Sequence, residues 1–167
     1  MSLWHRVVVA LGALAALAGC DPARVARLEE GVSTESQVRR EFGEPATVTL
    51  LPDGGKVLEY PRQPQGWTNY RIAIGPDGVM SSLRQLLHAD NFARVQPGLA
   101  EAEVRELLGR PARITPWERQ GEVEWVWRFR PDPNRSQLFS VYFDRGGRVL
   151  RSTVTDDPAA QVQAGSQ

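Results

Sequence analysis

The chain carries one thiol, Cys20, and two imidazoles, His5 and His88. A lone cysteine can serve as a nucleophile, take an acyl group or join other ligands around a metal, and each chemistry needs different neighbours. No second cysteine exists for an intrachain disulfide, and no Cys/His cluster has zinc-site spacing. His88 could be a general base, but no nucleophile is evident beside it, and it reads as a surface or linker histidine at a repeat junction. Asp156-Asp157 could form a carboxylate pair or help hold a metal; at the start of a polar tail they read as a solvated acidic turn. Glu29-Glu30, at a helix end, reads the same way. The motifs HExxH, Gly-x-Ser-x-Gly, a Walker loop and Cys-x-x-Cys are absent. The sequence therefore predicts no catalytic residue, no metal and no cofactor.

Cys20 has a better explanation. Met1 to Arg6 is a short, weakly cationic stretch, and Val7 to Ala18 is apolar or Gly throughout. That run is short for a bilayer span but suits the apolar core of a signal peptide. It ends in Leu17-Ala18-Gly19-Cys20, which resembles the bacterial lipobox. The resemblance implies cleavage between Gly19 and Cys20 and acylation of Cys20, palmitate included, which rules the thiol out as a nucleophile. Several acyl chains give stable membrane anchoring where one is marginal. The alternatives are an ordinary secretory signal with a chance cysteine, or an intact N-terminal anchor. The lipoprotein reading places the chain on the periplasmic side of the envelope, the outer membrane being favoured. Asp21, which in enteric bacteria marks inner-membrane retention, leaves the choice of membrane open.

Lys plus Arg and Asp plus Glu both number 20, so the formal net charge is zero. A nucleic-acid partner calls for a strongly basic surface and is not expected. Lys56 is the only lysine; the arginines reflect a compositional habit, because anions balance them.

The elements follow from a repeated phrase. Val104-Arg105-Glu106-Leu107-Leu108-Gly109-Arg110-Pro111-Ala112 places Val104, Leu107 and Leu108 on one helix face. Gly109 can take a left-handed closing conformation, and Pro111 cannot continue a helix. The phrase also occurs 66 residues earlier, from Val38 through Gly43 and Pro45 to Ala46, identical at five of nine positions. Two such stops at domain-scale spacing predict a duplication. Before each lies a second short helix: Asp21-Pro22 caps one that ends near Gly31, and Asp90 opens one through Phe92 and Val95. Thr34 and Gln37 fit a capping box. Ala100 is a poor cap, with Glu101 and Glu103 behind it.

After each stop the period changes to two. Val48 and Leu50 begin the first meander, followed by Lys56 to Tyr60, then Tyr70, Ile72 and Ile74, then Val79 to Leu87 as a fourth strand. In the second, Val123, Trp125, Trp127 and Phe129 share one face. Glu122, Glu124, Arg128 and Arg130 take the other, with Val126 an apolar exception. Phe139, Val141 and Phe143 form the next strand, and Val149 to Val154 the last. The fold expected is α+β, a tandem repeat of a two-helix plus three- or four-stranded antiparallel unit. The boundaries are 1–19 signal peptide, 20–90 first repeat, 91–155 second repeat and 156–167 disordered tail.

Three residues are candidates for partner binding. Trp67 stands in a polar loop from Pro61 to Asn69, and aromatics are frequent interface anchors; the alternative is that it folds back over the sheet. The loop Pro131-Asp132-Pro133-Asn134 is its equivalent in the second repeat. Arg39 and Arg105 recur at matching positions and could meet a carboxylate or phosphate, or simply pair within the chain on a solvated helix face.

Gly98-Leu99-Ala100-Glu101-Ala102-Glu103-Val104, followed by Leu108-Gly109-Arg110-Pro111, resembles the BamE (SmpA/OmlA) family, small lipoproteins of the outer-membrane β-barrel assembly machinery. The family usually has one such unit, and the second copy here lacks its Thr cap. The tandem arrangement is also similar to the duplicated β-lactamase inhibitory protein fold. The BamE resemblance implies a non-enzymatic envelope lipoprotein that supports outer-membrane protein assembly or envelope integrity, with the assembly machinery or another envelope protein as partner. The alternative is an inhibitor or regulator of a periplasmic enzyme.

Overall fold

Each half of the chain places two short helices before an antiparallel meander. The computed structural model describes residues 21–159. The first half runs α1 (Asp21–Val25), α2 (Glu35–Phe42), β1 (Thr47–Leu50), β2 (Lys56–Pro61), β3 (Asn69–Ile74) and β4 (Met80–Gln85). The second runs α3 (Ala89–Ala93), α4 (Glu101–Leu108), β5 (Arg113–Trp117), β6 (Glu122–Asp132), β7 (Arg135–Phe143) and β8 (Val149–Asp156). Each meander is a four-stranded sheet in sequence order, all antiparallel. This is the α+β tandem repeat expected.

The repeated phrase is a helix stop. Val38 and Phe42 of α2, and Val104 and Leu108 of α4, are buried against their own sheets. Gly43 and Gly109 then take φ of 83° and 71°, and each donates its N–H 2.8 Å to the carbonyl of Arg39 or Arg105. The accompanying ψ is extended, −162° and −158°, so this is not the left-handed helical cap expected. It is a region that essentially only glycine occupies, and it turns the chain straight into the next strand.

The duplication extends to the turn that locks each helix onto its sheet. Gly31 donates to Met80 O and Met80 to Ser33 O; Gly98 donates to Val149 O and Val149 to Leu99 O. The caps differ. Thr34 and Gln37 close a reciprocal box around the start of α2. At α4 only half of it exists: Ala100 N–H reaches Glu103 Oε2 at 2.8 Å, and alanine has no oxygen to return the bond. Ala100 already has extended cap geometry, φ −76° and ψ 155°. Ala100→Ser therefore raises stability by about 0.5–1 kcal/mol in urea unfolding; no gain would mean that the end of α4 frays in the native state.

Two apolar cores result. The first packs Val38 and Phe42 on Leu58, Tyr60, Tyr70, Ile72, Ile74 and Met80. The second packs Val104 and Leu108, with Phe92 and Val95, on the aromatic face of β6 and β7. Trp125, Trp127 and Phe129 sit on that face as their alternation predicts, and Phe92 stacks on Phe139 with ring centroids 4.2 Å apart.

Expected boundaries are corrected at five places. α1 ends at Val25 and not near Gly31, because Arg27 and Leu28 bond three residues back. α3 begins at Ala89, with His88 and not Asp90 as its N-cap, so the second unit starts before residue 91. β4 ends at Gln85, because Leu86 N–H turns to Asn69 O and Leu86 and Leu87 are buried instead. Residues 131–134 are no counterpart of the Trp67 loop: β6 continues to Asp132, which pairs with Arg135 across a tight hairpin. The folded chain also passes residue 155, for Asp156 closes β8 and Asp157 is 3% exposed.

Candidate protein-binding surface

Antiparallel pairing places cross-strand partners on the same face of a sheet. On the face of the second sheet turned away from α4, Glu124 of β6 lies between Thr115 of β5 and Tyr142 of β7, and Arg151 of β8 comes next. Trp117 lies opposite Glu122 one step along. These residues form one connected group. The Glu124 carboxylate accepts Tyr142 OH at 3.0 Å and Trp117 Nε1–H at 3.4 Å. Arg151 donates two bonds to Glu122, at 2.9 and 2.8 Å, and its guanidinium lies 4.0 Å from the Tyr142 ring centroid.

Glu124 is only 6% exposed although it sits on an outward face. Aromatic and guanidinium neighbours cover it, and each of its oxygens has a donor. Arg151 holds the Glu122 carboxyl below its ordinary range, and Glu122 in turn raises Arg151. Burial, and then the bond to Glu124, push the Tyr142 phenol up. At neutral pH Tyr142 is therefore a hydrogen-bond donor and not a base. Trp117 remains 43% exposed above this base. The group offers no nucleophile and no free base; it offers two aromatic side chains and a guanidinium held together by hydrogen bonds and an ion pair. Trp, Tyr and Arg are the side chains that dominate interface hot spots.

The residues singled out from sequence lie elsewhere. Trp67 folds across onto the second sheet: its Nε1–H donates to Ser136 Oγ at 2.9 Å, and Arg130 and Arg128 lie 3.4 and 5.5 Å from its ring centroid. Gln63 in the same loop exchanges bonds with the Arg128 backbone, donating to its O at 2.8 Å and accepting its N–H at 3.2 Å. This loop joins the two halves. Arg39 is engaged on α2 with Glu35 and Glu44, whereas Arg105 is exposed on α4. His88 is the N-cap residue of α3, with Nδ1 3.8 Å from the exposed Asp90 carboxylate. Glu30 is not simply solvated, since it accepts Leu83 N–H at 2.8 Å and pairs with Arg84. Asp157 is the plainest departure from a solvated turn: it accepts from Arg128 Nε and Nη2 at 2.9 and 2.7 Å and from Ser136 Oγ at 2.9 Å.

Gly19 and Cys20 lie outside the described residues, so the lipidation and cleavage sites stand as sequence expectations. Among the described residues, no group of three or more His, Cys, Asp or Glu is placed to hold a metal, and no helix is long and apolar enough to cross a membrane. A cleft where the halves meet, beside Asn69 and Arg110, has room for about one water molecule.

Sequence reasoning placed Glu122 and Glu124 on the face opposite the tryptophans, but it missed Trp117, Tyr142 and Arg151 as their companions. The available signal was Val126, the apolar exception on that face, which is 2% exposed. A buried outward position means that its neighbours close over it.

No protein-family model matches the chain, and no curated protein matches it significantly. Two solved structures resemble it at low similarity. One is YjgB of Bacillus subtilis, a DUF4309-family protein, with 16% identity, a TM-score of 0.31, and coverage of 78% of this chain and 82% of that one. The other is a proposed β-lactamase inhibitor protein from Streptococcus mutans, with 13% identity, a TM-score of 0.31, and coverage of 74% and 83%. These findings correct the BamE resemblance: that family does not match, and these neighbours are of other kinds. The physical reason is that the shared phrase is fully used in ending a helix. Val104 and Leu108 are core, and Gly109 supplies the positive φ. What the phrase encodes is a helix-to-strand junction carrying the duplicated α+β fold.

Proposed function

We propose that this chain is a non-enzymatic binding protein that inhibits or regulates an enzyme outside the cytoplasm, presenting the outer face of β5–β8 to it. The observation that carries this reading is the ordered group of Trp117, Glu124, Tyr142, Arg151 and Glu122. Binding costs side-chain ordering at an interface, and a platform already held together by these bonds avoids much of that cost. The Streptococcus mutans protein is described as belonging to the same functional class, but a TM-score of 0.31 adds no weight, and the reading rests on the platform. We assign the tether to Cys20, which would hold the platform at a membrane surface.

The test places a photo-crosslinking amino acid at Trp117 in native cells, with a control at Ser82 on the outer face of the first sheet. One enzyme is expected to crosslink from position 117 and not from 82, and the purified chain is expected to inhibit that enzyme. Trp117→Ala should weaken inhibition by about thirtyfold, the effect of a 2 kcal/mol hot spot. Inhibition unaffected by Trp117→Ala, or crosslinking only from position 82, would sink the assignment.

A further inference from the structure

We infer that β8 is a self-association edge, at which a second copy of this chain pairs antiparallel to join two four-stranded sheets into one. The duplication supplies its own control. Natural sheets guard their edges against pairing with other chains, and three of the four edges here are guarded. β1 has only four residues. β5 carries Pro116, a residue that limits pairing along an edge. β4 is covered by the segment before α2: Gly31 and Ser33 bond to Met80, and the Glu30 carboxylate accepts the outward N–H of Leu83.

β8 occupies the same place in the second half, and its first residue is covered in the same way, by Gly98 and Leu99 on Val149. There the cover stops. Gly98 matches Gly31, so Pro97 stands where Glu30 stands, with no carboxylate to offer. Both sheets have a bulge at the matching step, which places Ser152 where Leu83 is. Ser152 and, two residues on, Val154 therefore point their backbone N–H and C=O groups away from β7. Among the described residues nothing meets them, and residues 150–156 are all exposed. The strand is longer than β4, eight residues against six.

The same stretch fits itself. Leu150 and Val154 are 41% and 50% exposed on this edge. With a two-fold axis at Ser152, the two Ser152 residues pair and Leu150 of each copy lies opposite Val154 of the other, so exposed apolar side chains cover one another. Charge does not oppose the approach. Arg151 is held by Glu122, Asp156 by Gln137 and Arg135, and the chain's formal charge is zero. The platform residue Arg151 lies on the outer face of β8, so pairing leaves it open and places two platforms on one continuous sheet.

The experiment uses the full chain in mild detergent with Cys20→Ser, adding Ser152→Cys as the sole thiol. Mild oxidation is expected to give a disulfide dimer, and sedimentation of the parent chain without the added thiol is expected to show a reversible dimer. Val154→Pro removes an outward N–H, keeps the ladder to β7 intact, and should weaken the dimer about tenfold or more. Val154→Lys keeps that N–H but sets a charged side chain against Leu150 of the other copy, and should weaken the dimer likewise without constraining the backbone, should the proline variant fail to fold. A chain that stays monomeric at about 200 μM, well above the dissociation constant of a typical specific dimer, overturns the inference. So does a dimer that survives both variants and does not crosslink at position 152. A monomer that captures an extended segment of another protein on β8 overturns the second-copy assignment as well.

Discussion

Trp127→Ala is expected to cost about 3–5 kcal/mol, the largest loss of stability from a single truncation in the chain. The indole is fully buried, 0% exposed, between Trp125 and Phe139 on the floor of the second core. Its Nε1–H donates 3.2 Å to Gly109 O, inside the repeated helix stop. Truncation therefore leaves a cavity and a buried carbonyl without its donor, at the place where α4 joins its sheet. Small domains hold only about 5–15 kcal/mol in total, so the urea midpoint should fall steeply at unchanged slope. Trp117→Ala is the control. That indole belongs to the same sheet but to the other face, it is 43% exposed, and its loss should cost less than about 1 kcal/mol. Equal losses from the two tryptophans would contradict the division of the sheet into a core face and an outer face.

This contrast bears on what was legible in the sequence. The core was, because burial imposes a period. The alternation from Val123 to Phe129 sent three aromatics to one side, and Val104 with Leu108 supplied the matching helix stripe. The duplication was legible because Gly43 and Gly109 need a conformation that few other residues tolerate. The platform was not, since it depends on register. Nothing local tells that Glu124 lies between Trp117 and Tyr142, seven and eighteen residues away, or that Arg151 in the last strand reaches Glu122. Trp67 was legible as a notable residue but not as a joint between the halves, because its partners Ser136 and Arg130 belong to the other repeat. The family reading failed for a related reason. A helix stop and a capping pattern report local backbone needs, and these recur wherever a short helix leads into a strand.

Asp157→Asn is expected to cost about 2–3 kcal/mol at neutral pH, although the composition alone places the start of a polar tail there. Removing one partner of a buried ion pair strands the other charge, and such losses run to about 3–5 kcal/mol. The lower figure applies because the Arg128 side chain is a quarter exposed and keeps its contact with Pro64 O. Burial alone would raise the Asp157 pKa. The bonds from Arg128, Ser136 and the Ala159 N–H outweigh burial and hold the carboxyl below its ordinary value. A carboxyl depressed on folding binds fewer protons in the folded chain than in the unfolded one. Its contribution is present above the ordinary value of about 3.9 and is lost as pH falls through the lower folded value. Glu30, Glu35 and Glu122 are depressed in the same direction, so the parent chain weakens in acid for several reasons at once. The gap between parent and Asp157→Asn isolates one of them. It should be full at pH 7 and shrink below about pH 3.9 as the parent carboxyl takes up its proton. A gap that stays constant into acid would mean that Asp157 acts through shape and packing rather than charge, and that the Gln63–Trp67 loop holds the two halves together without it.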